Sequence, residues 1–225
     1  MRRLPRLVPE AVYDSLFIVN FSTPRGYAIT LSEVTYFSYL ACLLSVYTGK
    51  PAGEWGYAFA ATKSMSPFSD ALGEATETLT NAGRLESHVA SGFTVTSRGS
   101  RELEGYSGQH LFQSRLKYLR AACNSSLAVP LPAVGAALSN EPELKSALAI
   151  SASRELLLDE AGPRVVHQHF QGLMDAIPDS SDLFLAAVTW IGMLAASEDE
   201  GSQKLKQAKD VKPTALENAE AVDAG

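Results

Sequence analysis

One segment near the middle of the chain combines helical and strand-like spacing of apolar residues, and it constrains the fold more than any other feature. Its first part begins with Ser66 and Pro67, which favour the N-cap and the first turn of a helix. The apolar positions that follow at helical spacing are Phe68, Ala71, Leu72, Ala75, Leu79 and Ala82. Because Gly83 can end a helix, this part predicts a helix over 67–82.

The second part of the segment shows the two-residue alternation of β-strands. Apolar and polar residues alternate over 84–89 and over 93–96, with a turn at 90–92 between them. We therefore predict a β-hairpin, a short connection at 97–99 and a further helix marked by Leu103. This order of elements is typical of a winged helix, in which the hairpin is the wing and the preceding helix is the recognition helix. The alternative is an amphipathic helix followed by an unrelated hairpin.

Helical signals dominate the rest of the chain. Thr30 and Glu33 form a capping-box pattern, and the apolar spacing after them predicts a helix over 31–48. The segment 12–21 is compatible with either a helix or a strand. Proline and glycine divide the second half of the chain. Its predicted helices cover about 111–122, 133–139, 142–158, 165–177 and 181–196.

These elements predict a mostly α fold with a small β-hairpin, in which a winged-helix core is followed by a helical bundle. The expected organisation is a winged-helix domain over 1–106, a helical domain over 107–196 and a flexible polar tail over 197–225. The tail is predicted because its residues are rich in Lys, Glu, Asp and Ala and include few large apolar side chains.

The composition is that of a globular protein without a general affinity for nucleic acid. The chain is 46% hydrophobic and has a net charge of −6, so it lacks the basic excess of a nucleic-acid coat. Cys42 and Cys123 both lie in predicted helices, and we expect two buried thiols in a reducing compartment. No secretory signal is recognisable, and the uncharged run 183–196 is shorter than the about 20 residues of a membrane span. We expect a cytoplasmic protein, with a helix that is buried on most sides at that run.

No catalytic or cofactor-binding motif is recognisable in the sequence. Gly49 and Lys50 are followed by Pro51, which does not match a Walker loop, and the glycine patterns of dinucleotide sites and serine hydrolases do not occur. His167 and His169 suggest metal chemistry, but residues two apart on a helix point in different directions, and further ligands are missing. We predict a protein that is not an enzyme and binds no metal or cofactor; the alternative is an enzyme with a site around these histidines.

The predicted recognition helix carries the wrong charge for DNA. Asp70, Glu74 and Glu77 recur about once per turn, and phosphate groups would repel them. Together with Phe68 they form the predicted partner-binding helix. Possible contacts to a phosphate backbone are instead expected from cations around the hairpin, although ordinary solvated charge also explains them. These cations are Lys63, Arg84, Arg98 and Arg101.

Three stretches of the helix–hairpin segment form a pattern that resembles a known family. These stretches are the Ser66-Pro67-Phe68-Ser69 start, the leucine-containing helix that ends at Gly83, and the Val95-Thr96-Ser97-Arg98-Gly99 exit. This pattern resembles the winged-helix block of the middle (accessory) subunits of bacterial three-component ABC-ATPase systems, the Lamassu-type anti-phage defences. It is also similar to the kite subunits of bacterial condensins. The resemblance covers about 61–106, and its Thr-x-x-Gly exit also occurs in transcription regulators.

The resemblance implies a non-catalytic bridging subunit. Such a protein would dock on an SMC-like ABC ATPase and link it to an effector nuclease in anti-phage or anti-plasmid defence. Contact with DNA would be indirect or through backbone phosphates. The alternative is a stand-alone winged-helix transcription regulator, dimeric through its C-terminal helices, that uses the arginines near the hairpin to bind an operator.

Overall fold

The computed structural model describes residues 7–61, 66–89, 91–149, 155–157, 161–177 and 181–210. Over these residues the protein is mostly helical and carries two small antiparallel sheets, which confirms the predicted fold class at this level. The helices are α1 (Pro9–Ser22), α2 (Leu31–Tyr47), α3 (Asp70–Asn81), α4 (Ser97–Ser107), α5 (His110–Ser125), α6 (Leu131–Leu138), α7 (Pro142–Ala149), α8 (Ala161–Ala176) and α9 (Leu183–Asp210).

The strands form one predicted and one unpredicted sheet. They are β1 (Phe59–Ala61), β2 (Pro67–Phe68), β3 (Leu85–His88), β4 (Gly92–Val95) and β5 (Glu155–Leu156). Strands β3 and β4 pair with Leu85 opposite Val95, so the predicted hairpin is confirmed. In the second sheet β1 lies between β2 and β5, and both pairings are antiparallel.

Helix α1 settles the segment that was compatible with a helix or a strand. Residues 12–21 are helical, and α1 packs against α2, α3, α4, α5 and β4. Its buried residues therefore lie on most sides of the helix, including polar Asp14 and Ser15. A helix that is buried on most sides lacks a clear 3.6-residue pattern, which explains why periodicity alone did not identify it.

Helix α2 confirms the predicted capping box. The Thr30 hydroxyl accepts a hydrogen bond from the Glu33 amide at 3.3 Å, and the Thr30 amide donates to Glu33 Oε2 at 2.7 Å. The helix ends at Tyr47, and Gly49 follows with a φ of +87°. Almost every residue from Val34 onward is buried, so α2 is the central helix of the core.

The predicted start of α3 is wrong. Pro67 and Phe68 form strand β2, opposite Ala61 and Ala60 of β1, and the helix begins at Asp70. Strand pairing takes these residues away from the helix, and Pro67 is tolerated because β2 is the edge strand of its sheet. Phe68 therefore lies on a strand next to α3, not on the helix predicted to bind a partner.

Helix α4 begins earlier than predicted, within the residues expected to form a connection. Thr96 is its N-cap, and the Thr96 hydroxyl accepts from the Gly99 amide at 3.1 Å. A Cβ on Gly99 would lie 2.3 Å from the carbonyl oxygen of Arg84, so the close approach of α4 to the hairpin requires glycine. The Thr-x-x-Gly exit therefore has a structural cause in this protein.

The predicted helix over 142–158 is wrong in its C-terminal part. Helix α7 runs to Ala149, and Glu155–Leu156 form strand β5 against β1. Leu157 then adopts a φ of +65°, which a helix cannot accommodate. The pairing with β1 is a long-range contact, and the local sequence did not indicate it.

Helix α9 differs from the prediction at two points. It continues from Leu183 to Asp210, so the change of composition at Ser197 does not end the helix, and the predicted tail begins with helical residues over 197–210. Residues 211–225 lie outside the described part of the chain. The predicted buried helix at 183–196 is buried on one side only, because Phe184, Leu185 and Met193 are exposed.

The hydrophobic core crosses the predicted domain boundary at residue 106. The ring of Tyr13 stacks on that of Phe112 with centroids 4.4 Å apart, and α2 packs against both α5 and α9. The division into two independently folding domains stays a prediction. Cys42 and Cys123 are both buried and unbridged, as expected. Among the described residues, no helix is both long and apolar enough to traverse a bilayer.

Candidate functional site

Helix α3 is positioned by one apolar side. Leu72, Ala75, Thr76 and Leu79 are buried, and the helix packs against α1, α2 and β3. The Thr76 hydroxyl donates to the Leu72 carbonyl at 3.0 Å, which satisfies its polar group inside the core. The opposite side of α3 therefore faces solvent.

The solvent-facing side of α3 carries the predicted carboxylates. Asp70 and Glu77 are exposed and Glu74 is half-buried, and their spacing places them on one face of the helix. None of them forms an ion pair with another described residue. The helix dipole explains Asp70 in the first turn, but it does not favour Glu77 near the other end. We call these three residues together with the neighbouring Phe68, which is 37% exposed, the α3 surface.

Arg84, one of the predicted phosphate contacts, is engaged within the protein. Its Nε donates to Glu102 Oε2 in an ion pair between the hairpin and α4, and both side chains are about three-quarters buried. Glu102 Oε1 also accepts from the Tyr106 hydroxyl at 2.6 Å. Partial burial raises the pKa of Glu102, but the hydrogen bonds from Tyr106 and Arg84 and the charge of Arg84 outweigh it, so the net shift is downward. The charge of Arg84 is therefore already balanced.

Two of the other predicted cations lie on α4. Arg98 and Arg101 are exposed in the first two turns of α4, where Arg101 Nε donates to the Ser97 carbonyl at 3.3 Å. Lys63 lies outside the described residues. Of the four cations, the structure therefore leaves Arg98 and Arg101 accessible at the surface next to the hairpin.

The hairpin is joined to the segment between α1 and α2. Ile29 and Phe93 exchange backbone hydrogen bonds of 3.0 and 2.8 Å, which adds a second, one-residue partner to β4 besides β3. Gly92 makes this possible, because its φ is +104° and a Cβ there would lie 2.3 Å from the Ile29 carbonyl oxygen. At the tip, Val89 is fully exposed.

A buried polar network connects α1 and α5 and was not predicted from the sequence. Arg115 of α5 donates to both carboxylate oxygens of Asp14 in α1 at 2.9 and 2.6 Å, and its Nη1 donates to the Trp55 carbonyl at 2.7 Å. The Tyr57 hydroxyl donates to Asp14 at 2.5 Å and contacts Ser38. Burial lowers the pKa of Arg115, but the charge and hydrogen bonds of Asp14, together with Tyr57 and Glu10, outweigh it, so the net shift is upward and the arginine stays charged. The pair is balanced and ties α1, α5 and the 52–55 turn together.

A second buried group joins α2 to α7. The Glu141 carboxylate accepts from the Tyr39 hydroxyl at 3.1 Å and from the amides of Glu143 and Leu144 at 3.1 and 2.9 Å, so it caps α7. Burial raises the pKa of Glu141 to about 7, although the backbone hydrogen bonds oppose the shift. Glu143 Oε1 accepts from the Leu157 amide at 2.8 Å. Both carboxylates therefore have structural roles in holding α7 and β5.

Two small cavities of the described part lack convergent reactive groups. One of about 230 Å³ is lined mainly by backbone and apolar side chains between the 52–58 segment and Leu156–Leu157. Another, of about 90 Å³, lies beside Arg115, whose guanidinium is already held by Asp14. Within the described residues, no group of histidine, cysteine and carboxylate side chains is arranged to hold a metal ion. His169 is exposed with its ring against Trp190, and nothing is described of the His167 side chain.

Comparison with known proteins found no match: no family model, no curated protein and no solved structure is similar to this chain. The geometry of the chain is therefore the basis for an inference about function. Its most specific surface feature is the acidic side of α3 next to the hairpin.

Proposed function

We propose that this protein is a non-catalytic winged-helix accessory subunit that bridges an SMC-like ABC ATPase and an effector nuclease in anti-phage or anti-plasmid defence. The observation that carries the proposal is the α3 surface, where Asp70, Glu74 and Glu77 have no described ionic partner. Such a surface is suited to a basic patch on another protein.

The order of elements supports a winged helix. Helices α1, α2 and α3 precede the β3–β4 hairpin, and the Ile29–Phe93 pairing between α1 and α2 supplies the small third strand of that topology. The 48–66 segment, with β1 and part of the second sheet, is then an insertion before the helix in the recognition position. In this arrangement the side of α3 that would face a DNA groove is the side that carries the carboxylates.

The electrostatics support a protein partner over DNA for α3. Two like charges about 4 Å apart near a protein surface repel by roughly 1–4 kcal/mol, depending on the local dielectric. The three carboxylates of α3 would each meet phosphate groups in a major groove. The same charges attract lysine and arginine, and an interface with complementary charge gains association rate and specificity.

The interior supports a scaffold role. The buried groups that could carry chemistry are engaged in structural contacts: Asp14 with Arg115, and Glu141 with Tyr39 and the start of α7. Burial also raises the pKa of both thiols, Cys42 and Cys123, which disfavours the reactive thiolate.

The test is co-expression of the full chain with the products of the genes that flank its own, followed by affinity purification. We expect an ATPase with long coiled coils to co-purify. The double variant Glu74→Lys/Glu77→Lys should reduce the retained ATPase at least tenfold, since it reverses two charges on the α3 surface. The matched control is Glu86→Lys/Glu104→Lys, which reverses two exposed carboxylates on β3 and α4 and should retain the ATPase. An absent ATPase, or equal losses for both variants, would contradict the proposal.

One observation favours a second candidate, a stand-alone winged-helix transcription regulator. Arg98 and Arg101 lie in the first two turns of α4, where a cation opposes the helix dipole, so helix stability does not account for them. A phosphate contact would account for them. Fluorescence anisotropy with labelled duplex DNA at low salt decides between the candidates. A regulator should bind tightly and lose binding in Arg98→Glu/Arg101→Glu, whereas an accessory subunit that depends on α3 should show no sequence-specific binding on its own.

A further inference from the structure

Helix α9 presents a long exposed side without charge. Its buried side packs against α5 and α6, chiefly through Ala186, Ala187, Trp190, Ile191 and Leu194. Leu185 and Gly192 lie at the centre of the opposite side, and Phe184 and Met193 lie at its two edges; Phe184, Leu185 and Met193 are each 39% exposed, and Gly192 adds no side chain. No charged residue occurs from 183 to 197. An exposed apolar helix side of this length is typical of an interaction surface.

An open groove with a basic rim lies at the start of this side. It has a volume of about 470 Å³ and separates α5 from the first residues of α9, with Leu116 and Phe184 in its lining. Lys117 and Arg120 of α5 line the same groove and are exposed. The chain contains no carboxylate from 105 to 140, so α5 offers these cations no acidic neighbour along its own length.

The carboxylate that does line the groove belongs to the cap of α9. Asp182 Oδ1 accepts from the amides of Phe184 and Leu185 at 3.0 and 3.1 Å. One carboxylate engaged in capping leaves the groove with an excess of positive charge from Lys117 and Arg120. A complementary partner therefore needs an apolar helix side followed by acidic residues.

This chain itself has that combination. Glu198, Asp199 and Glu200 follow the uncharged side on the same helix, which continues to Asp210. From Phe184 to Asp199 is 199 − 184 = 15 residues, or about 22 Å of helix at 1.5 Å per residue. The distance from the start of the apolar side to the acidic residues is thus about four helical turns.

We propose that a second copy of this chain covers the exposed side of α9 in an antiparallel, two-fold symmetric dimer. With Leu185 of one copy opposite Gly192 of the other, residues 198–200 of each α9 lie within about two turns of the start of the other α9. That is where Lys117 and Arg120 rim the groove. A two-fold axis forms each apolar and each ionic contact twice, which is the usual geometry of homodimers. The dimer uses no residue of the α3 surface, so it does not depend on the proposed function.

The first test is sedimentation equilibrium of the full chain from about 1 to 100 μM, a range that detects micromolar dimers. We expect a dimer, and Leu185→Lys should raise its dissociation constant at least tenfold because it places a charge in the centre of the apolar contact. The matched control is Met174→Lys on α8, an exposed methionine outside the α9 side, which should dimerise like the wild type. Circular dichroism melting checks that both variants are folded. A monomer at every concentration, or equal effects of the two substitutions, would overturn the proposal.

The second test addresses the antiparallel register. Lys117→Glu/Arg120→Glu should weaken the dimer at least tenfold at low salt and less at high salt, because exposed charges are screened. Adding Glu198→Lys, Asp199→Lys and Glu200→Lys in the same chain restores the complementary pairing, so dimerisation should recover. If the combined variant dimerises no better than the Lys117→Glu/Arg120→Glu variant, residues 198–200 do not meet the groove and the arrangement is overturned.

Discussion

Replacing Arg115 by methionine would remove the cation from the buried network and leave Asp14 without its ionic partner. The Asp14 side chain has no exposed surface, and both of its carboxylate oxygens accept from Arg115. Methionine has a similar length and keeps the apolar contact with the Trp55 ring, over which the guanidinium lies at 3.9 Å. The substitution therefore tests the charge more than the packing.

The expected loss is large. Removal of one partner from a buried ion pair costs about 3–5 kcal/mol, because the remaining charge is neither solvated nor compensated. For a chain of this size each kcal/mol lowers Tm by about 2–4 °C, so we expect a decrease of about 6–20 °C. This loss is a substantial part of the 5–15 kcal/mol that typically separates folded and unfolded states.

The assay is urea unfolding at neutral pH, followed by circular dichroism, with thermal melts in parallel. Asp14→Asn/Arg115→Met should recover part of the stability, since no unpaired charge is then left at this site. The control Arg84→Met breaks an ion pair that is about one-quarter exposed, and it should cost about 1 kcal/mol or less. A loss below about 1 kcal/mol for Arg115→Met would refute the reasoning, because a solvated pair has that magnitude.

Three further predictions concern single positions. Burial raises the pKa of Glu141 to about 7 in the folded protein, above the about 4.3 of an unfolded chain, so the folded state binds the proton more tightly. The stability that this proton contributes is complete below pH 4.3 and is lost as the pH rises through 7. Urea midpoints should therefore fall from pH 5 to pH 8 in the wild type and fall less in Glu141→Gln. An equal change of midpoint with pH in both proteins would contradict this. Thr30→Ala should cost about 1 kcal/mol in urea unfolding through loss of the capping box, whereas Ser32→Ala, on an exposed position of the same helix, should change little. Gly92→Ala should lower the free energy of unfolding by about 2 kcal/mol or more, because its Cβ would meet the Ile29 carbonyl. Gly105→Ala, on an open position of α4, should be neutral or stabilising. Comparable losses of stability in thermal melts of the two variants would contradict the role of the Ile29–Phe93 pairing.

The features that could be predicted from sequence are those stabilised by neighbours along the chain. The capping box joins Thr30 to Glu33, three positions later, and the hairpin pairs Leu85 with Val95 across a short turn. The amphipathic side of α3 was visible in the spacing of its leucines and alanines, and its exposed carboxylates follow from the same periodicity. Each of these signals lies within about a dozen residues.

Two errors occurred where strand β1 competes for residues with a helical pattern. Ser66 and Pro67 have a sound local pattern for a helix start, but β1 takes Pro67 and Phe68 into a sheet. Glu155 and Leu156 follow a helical segment, yet they pair with the same strand. Strand pairing supplies backbone hydrogen bonds that local propensity does not register. The second sheet therefore could not be predicted from periodicity.

By itself, then, the order of residues determined the helices with local caps, the hairpin and the acidic side of α3, because the interactions that stabilise them span a few positions. Tertiary structure alone decided that Arg84 is neutralised by Glu102 and that Asp14 meets Arg115 from 101 positions away. It also decided which side of α9 stays exposed. These outcomes depend on which surfaces come together when the core excludes water, and a one-dimensional pattern does not contain that information.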